Sequence, residues 1–287
     1  MYTKSSTSCV YVVSVVRDFG LYNRLVRENP CLAGCEFYAD DNNHANEAIT
    51  RRYNAHLNVL DGKEGWIVFC HEDFEFLDCL KEKLDDLARG AIYGIAGVDF
   101  NGVSQGLTLN SEKDGSGLTV TGRPFSSAKL VSTLDCMCVI VHSDLIRKTG
   151  LRFDENLLFD MYVEDFCATA RERFGVSSYV LPIRTQHYSW GVVGNRFKDA
   201  YKYVAQKFRE TSTTYYTTLS RRFGNGCFDL EPYVQKVKYN FVFFVFLVFA
   251  DNGRWIVSLL RYRLRLFSWR FVDPMKWKSA NPMTIYE

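Results

Sequence analysis

Over the first two hundred positions, apolar residues fall into short unbroken runs separated by polar, capped stretches. That is the pattern of strands buried on both faces of a sheet, alternating with one-sided helices. The β-branched run at 9–16 predicts a first strand, ending on Arg17 and Asp18. A helical stretch follows to about Glu28, and Pro30 closes it. A second strand at 35–39 ends on Asp40, Asp41, Asn42 and Asn43, which can close a turn and cap the next helix. Between 45 and 60, Ala45, Ala48, Ile49, Tyr53, Leu57 and Leu60 recur on one side of a helix. Trp66–Cys70 is too short for a helix, sits between Gly65 and His71, and reads as a fully buried strand. A helix over 76–89 and a strand over 91–98 complete the order βαβαβαβ. This order predicts right-handed crossovers and a mostly parallel central sheet with helices on both faces.

Residues 99–128 break the rhythm. They are rich in Gly, Ser, Asn and Thr and fit either a surface insertion or an ordered hairpin near a substrate. Strand character returns over 130–141 around Asp135, a carboxylate that needs a partner if buried. Glu164 and Asp165 open a helix over 166–174 that stops at Gly175, and acids there are favoured by the helix dipole alone. A strand over 178–182 precedes His187.

Composition narrows the class. With 35 basic against 33 acidic residues in a chain of 287, nothing in the charge argues for nucleic acid. The nine cysteines are odd in number and lie mostly inside apolar runs, as reduced thiols of a cytosolic protein do. Cys31 and Cys35 lack a second ligand pair at zinc spacing. The N-terminal segment lacks the length and cleavage site of a signal peptide.

The candidate chemistry centres on GWIVFCHED, residues 65–73. A buried strand there stops on His71, Glu72 and Asp73, groups that can bind a metal or carry charge. Open α/β sheets bind ligands beyond the carboxyl ends of their strands. A carboxylate at that point can hold a divalent cation, and the cation a diphosphate. The plainer reading is a polar strand end leading into a helix.

In order and spacing, the strand at 10–16, the acids Asp40 and Asp41, the Tyr53-Asn54 helix, WIVFCHED, Asp135, YVEDFCATARERFG and His187 resemble a GT-A nucleotide-sugar glycosyltransferase of the family-2 type. The similarity is to the bacterial branch with His-Gln-Asp in place of Asp-x-Asp, and it covers roughly residues 10–191. It implies a Rossmann-like α/β GT-A domain over 1–195, with a nucleotide-sugar half at about 1–98 and an acceptor half at about 129–195. A helical extension would follow over 196–287. It also implies inverting transfer from a nucleotide sugar, a UDP-sugar first, with Mn²⁺ or Mg²⁺. Asp73 would be the metal ligand and His187 a second ligand or phosphate donor. His71, Asp40, Asp41, Asn54 and Asp135 would be donor-side residues. Asp165 would be the general base, supported by Glu164. Turn capping for Asp40 and Asp41, a structural hydrogen bond for His187 and a buried pair for Asp135 remain the alternatives. Glu72 stands where the closest branch has glutamine, which leaves open whether it joins the metal or points elsewhere.

Beyond residue 191, the apolar run at 241–250 is about half what a helix needs to cross a bilayer. The next stretch threads Arg254, Arg261, Arg263, Arg265 and Arg270 among Trp255, leucines and Trp269, which suits a membrane-surface element. The expectation is a protein peripheral to the inner face of the plasma membrane, acting on a saccharide or lipid-linked saccharide in bacterial surface-polysaccharide assembly. Packing on the same chain or on a second copy is the alternative, which leaves homo-oligomerisation open. A sugar-nucleotide pyrophosphorylase would need a Gly-rich basic loop where SVVRDFGLYNR stands. A catalytically silent saccharide-binding scaffold shares all these motifs.

Overall fold

The computed structural model describes residues 8–111, 118–188 and 194–227. In chain order they form β1 (Val10–Val16), α1 (Phe19–Tyr22), β2 (Glu36–Asp41), α2 (Ile49–Val59), β3 (Trp66–Cys70), β4 (Phe74–Phe76), α3 (Leu80–Leu84), β5 (Ile92–Gly94) and β6 (Ala96–Val98). There follow β7 (Ser104–Ser111), β8 (Leu118–Arg123), β9 (Lys129–Val131), β10 (Thr133–Leu134), β11 (Cys138–His142), α4 (Ser143–Thr149), α5 (Tyr162–Phe174), β12 (Ser178–Val180), β13 (Thr185–His187), α6 (Asn195–Lys207), β14 (Tyr215–Tyr216) and β15 (Arg222–Phe223).

The main sheet has the order β2-β1-β3-β11-β5-β12-β9. Its apolar runs divide between two cores because successive side chains point to opposite faces. Tyr11, Val13, Ile67 and Phe69 join α2, α5 and α6 in one core. Val10, Val12, Val16, Trp66, Val68 and Cys70 join Tyr22, Leu25, Leu80 and Leu84 in the other. Helices on both faces are therefore observed.

The mostly parallel sheet is not. β1 runs parallel to β2 and β3, and β12 to β5, but β11 is antiparallel to both β3 and β5, and β9 to β12. The sheet is mixed. An apolar run states that a strand is buried, not which way it runs. The expected 91–98 strand is two pieces in two sheets. A Cβ on Gly94 would stand 2.8 Å from the Leu134 side chain and 3.0 Å from the Cys138 carbonyl oxygen, so glycine lets the chain cross this closely without a shift of its neighbours. The 130–141 strand likewise splits into β9, β10 and β11, with Asp135 in the turn before β11. The helix expected at 76–89 shrinks to α3, because Phe74 and Phe76 alternate with Glu75 and pair with β13. Residues 99–128 supply the β7–β8 hairpin of a second sheet, β10-β6-β7-β13-β4.

A boundary at 195 would cut through shared packing. Phe197, Tyr201, Val204, Phe208, Tyr215 and Phe223 sit in the same core as β3 and α5. Among the described residues no helix is long and apolar enough to cross a membrane. The run at 241–250 and the arginine-rich stretch after it lie outside the described residues.

Candidate metal and catalytic site

β2 and β1 end side by side, Val16 opposite Asp41, and β3 stops beside them at Cys70 before the chain turns through His71, Glu72 and Asp73 into β4. The second sheet delivers the missing partner. β13 pairs antiparallel with β4, which sets His187 opposite Phe74, and the Tyr188 N–H donates to the Asp73 carbonyl at 2.9 Å. Asp78 anchors the start of β13 by accepting the Arg184 backbone N–H at 2.8 Å and its guanidinium at 2.8 Å. As a result His71, Asp73 and His187 each offer a ligand atom, all within 4.8 Å of one another. Nε2 of His187 lies 3.4 Å from the Asp73 carboxylate.

His71 is held from two sides. Its Nε2 is 3.1 Å from the Tyr162 hydroxyl, which donates to the Cys136 carbonyl at 2.9 Å. Its ring stacks on Phe159 with centroids 5.4 Å apart. Burial lowers its pKa, with Asp73 pulling the other way, so the imidazole is held toward the neutral form that a metal requires. Glu72 points elsewhere: it accepts the backbone N–H of Arg17, and that of Asp18 at 3.0 Å, tying the end of β1 to the turn after β3.

The acidic pair at the start of α5 divides. Adjacent residues on a helix are about 100° apart, so both cannot face one site. Asp165, only 1% exposed, faces α6, where Lys207 Nζ lies 2.7 Å from it and 2.7 Å from Asp154. Burial raises its pKa to about 6 against the pull of Lys207. Glu164, 6% exposed, lies toward Asp135 and Asp160. Burial first, then the charge of Asp135, pushes it up to about 8. Its Oε2 has no hydrogen-bond partner. The base assigned to Asp165 therefore meets a competing claim. Asp165 is committed to an ion pair, whereas Glu164 is the acid with an open oxygen. We expect Asp165→Asn to shift stability by less than about 1 kcal/mol, since Lys207 keeps Asp154. Lys207→Met should cost about 1–3 kcal/mol, below the usual 3–5 for a broken buried pair because Lys207 is partly exposed. Chemical denaturation of both variants measures the difference.

Asp135 is half-buried; it accepts from the Thr218 hydroxyl at 2.7 Å and from the Met137 N–H at 3.2 Å. Asp40 lies 3.0 Å from His56 Nε2 and 4.0 Å from Arg52, both on α2. Asp41 is exposed and accepts the Asn43 N–H at 2.9 Å, the expected turn. Asn54 is not brought to the cluster. Its amide donates to the Phe153 carbonyl at 2.9 Å and to Glu155 at 3.0 Å, and accepts the Phe153 N–H at 2.9 Å, so it joins α2 to the 153 segment.

Tyr162, Phe159, Thr218 and Lys207 were not candidates from the amino-acid sequence. Tyr162 alone had a signal, standing two residues before Glu164, but its partner is 91 residues away. A second group, Glu64, His142 and Asp144, also brings its ligand atoms within 4.8 Å of one another. Arg89 already bridges Glu64 and Asp144 at 2.8 and 3.3 Å, and His142 Nδ1 accepts the Asp144 N–H. Its charge is met by arginine, and its imidazole caps α4.

No family model matches the chain. A protein of Fuscovulum blasticum described as ATP synthase subunits region ORF 6 is 26% identical over 222 residues, 71% of this chain and 85% of that one. Among solved structures, GalNAc-T7 with UDP, GalNAc and Mn²⁺ aligns at a TM-score of 0.45 and 9% identity, over 72% of this chain and 49% of that one. The chain thus spans about half the length of that structure. TarS of S. aureus aligns at 0.43 and 12%, over 70% of this chain and 39% of that one. A glycosyltransferase involved in the glycosylation of the major capsid of PBCV-1 aligns at 0.33 and 12%, over 68% of this chain and 99% of that one.

Proposed function

We propose that this chain is a metal-dependent, inverting glycosyltransferase of GT-A, family-2-like type, moving a sugar from a nucleotide sugar, a UDP-sugar first, to a saccharide acceptor. The supporting observation is the site itself: His71, Asp73 and His187 converge at the carboxyl ends of β1, β2 and β3, and Asp135 acts electrostatically both on His71 and on the buried Glu164, whose Oε2 is unpartnered. Two imidazoles and one carboxylate suit Mn²⁺ better than Mg²⁺, which prefers oxygen alone. These three residues would hold the cation, which when bound supplies positive charge to the departing diphosphate.

The rest falls to the chain. Glu164 takes the proton from the acceptor hydroxyl as it attacks the anomeric carbon; Asp165, the base by resemblance, holds α6 instead. Asp135, fixed by Thr218, lies on the donor-sugar side. Asp40 and Asp41, at the end of β2, lie on the nucleoside side. A single base with direct attack gives inversion. The basic, aromatic stretch at 254–270 supports a peripheral place on the inner face of the plasma membrane and a lipid-linked saccharide acceptor, as in bacterial surface-polysaccharide assembly.

Thermal denaturation with a panel of nucleotide sugars tests the reading. A donor at 100 times its Kd stabilises by about 2.7 kcal/mol, and the shift should require Mn²⁺. Slow Mn²⁺-dependent hydrolysis of the same donor separates an enzyme from a silent scaffold. A flat response to every nucleotide sugar, with and without Mn²⁺, would sink the assignment.

A further inference from the structure

Beyond the three ligands, the hydrogen bonds beneath His71 carry a further step, resting on the metal reading above. A tyrosine hydroxyl has one proton to give. Tyr162 gives it to the Cys136 carbonyl at 2.9 Å. At 3.1 Å from His71 Nε2, the same oxygen can then only accept, so Nε2 must carry the ring proton. That leaves the lone pair on Nδ1.

We infer that Tyr162 is a positioning residue which fixes His71 as the Nε2–H tautomer and so presents Nδ1 to the metal. Histidines that bind metals commonly donate their other N–H to an oxygen, which sets both tautomer and ring angle. Here the accepting oxygen is itself held. The Tyr162 ring packs against Tyr53 and Phe153, with centroids 6.1 and 5.8 Å away, and those two rings also touch each other at 5.5 Å. The backbone bends to place it: Met161, just before it, holds φ +63°, a left-handed conformation rare for a residue of its size. Phe159 stacks on one face of the His71 ring, and Arg196 lies over Phe159 with its guanidinium carbon 5.0 Å from the ring centre. The imidazole is held by aromatic contact on one face and by a hydrogen-bond chain at its Nε2 edge. Because Tyr162 opens the helix carrying Glu164, the same turn of chain sets one metal ligand and the acid proposed as base.

The test uses the full chain and two readouts other than activity. Long-range ¹H–¹⁵N correlation of ¹⁵N-histidine protein reads the His71 tautomer directly, with His71→Gln to assign its signals. Mn²⁺ titration followed by EPR gives the metal Kd. The parent should show the Nε2–H pattern at His71 before any metal is added. Tyr162→Phe should lose the predominance of that pattern and bind Mn²⁺ about 10–100-fold more weakly. Tyr93→Phe is the matched control, since Tyr93 also donates to a backbone carbonyl, that of Ala88 at 2.9 Å, but in the other core. It should leave both readouts unchanged. An Nδ1–H tautomer in the parent overturns the inference, whatever any variant does. So does a Tyr162→Phe protein with parental Mn²⁺ Kd, even if its Tm falls, and in that case the metal site stands. If the parent fails to bind Mn²⁺, or Asp73→Asn binds it equally well, the metal reading fails and this inference with it.

Discussion

A Glu164→Gln protein is expected to fold, to bind nucleotide sugar and Mn²⁺ as the parent does, and to lose about 10²–10⁴ in transfer rate. Glutamine keeps the size of the side chain but cannot take a proton from the acceptor hydroxyl. The parental rate should also depend on pH in a particular way. Burial and Asp135 push Glu164 up to about 8, so the ionised base, and with it the rate, should increase as pH climbs toward that value. The variant should show no such rise. Stability moves in the opposite sense. The folded state holds the Glu164 proton to about pH 8, whereas the unfolded chain releases it near 4.5. Stability from this group is present below about 4.5 and is lost as pH rises through 8. Glu164→Gln removes that loss, so its stability relative to the parent should be greater at pH 8 than at pH 5, by roughly 1–3 kcal/mol. Transfer rates at saturating donor, alongside denaturation at both pH values, decide the matter. If Asp165→Asn is the inactive variant and Glu164→Gln transfers normally, the base is Asp165, and the Lys207 pair must open during turnover.

Asp73→Asn should abolish Mn²⁺-dependent donor binding while leaving the fold intact. The residue sits in the turn between β3 and β4, outside both apolar cores, so its substitution removes charge without opening a cavity. Asparagine keeps a neutral oxygen but not the carboxylate that a divalent cation needs beside two neutral imidazoles. Isothermal titration of nucleotide sugar with and without Mn²⁺ provides the measurement. Unchanged Mn²⁺ dependence in the variant would place the cation elsewhere.

Much of this site could be read before any fold was known, and the reasons are local. The run Trp66–Cys70 is buried on both faces, as five consecutive apolar residues require, and it stops at the polar triplet that supplies two of the three grouped ligand residues. The one-sided pattern of Ile49, Tyr53 and Leu57 recurs in α2, facing the core that Ile67 and Phe69 enter. These features depend on neighbours a few residues away, and hydrophobic periodicity records them.

What needed the tertiary structure was direction, partner and facing. β11 is as apolar as β3 but runs against it, because burial is written in composition and orientation is not. His187 reaches Asp73 only through the pairing of β13 with β4, a contact across more than a hundred residues. Glu72 stands between two candidate ligands in sequence, yet it turns to the backbone of Arg17 and Asp18. Glu164 and Asp165 are adjacent and chemically alike. Which of them faces the site and which is held by Lys207 depends on the rotation of α5 and on where α6 packs. The amino-acid sequence by itself determined which acids and histidines were candidates and that runs such as Trp66–Cys70 are buried strands, but not where the 91–98 and 130–141 runs divide. Only the tertiary structure decided which of those groups meet, since strand direction and helix rotation are set by packing between segments far apart in the chain.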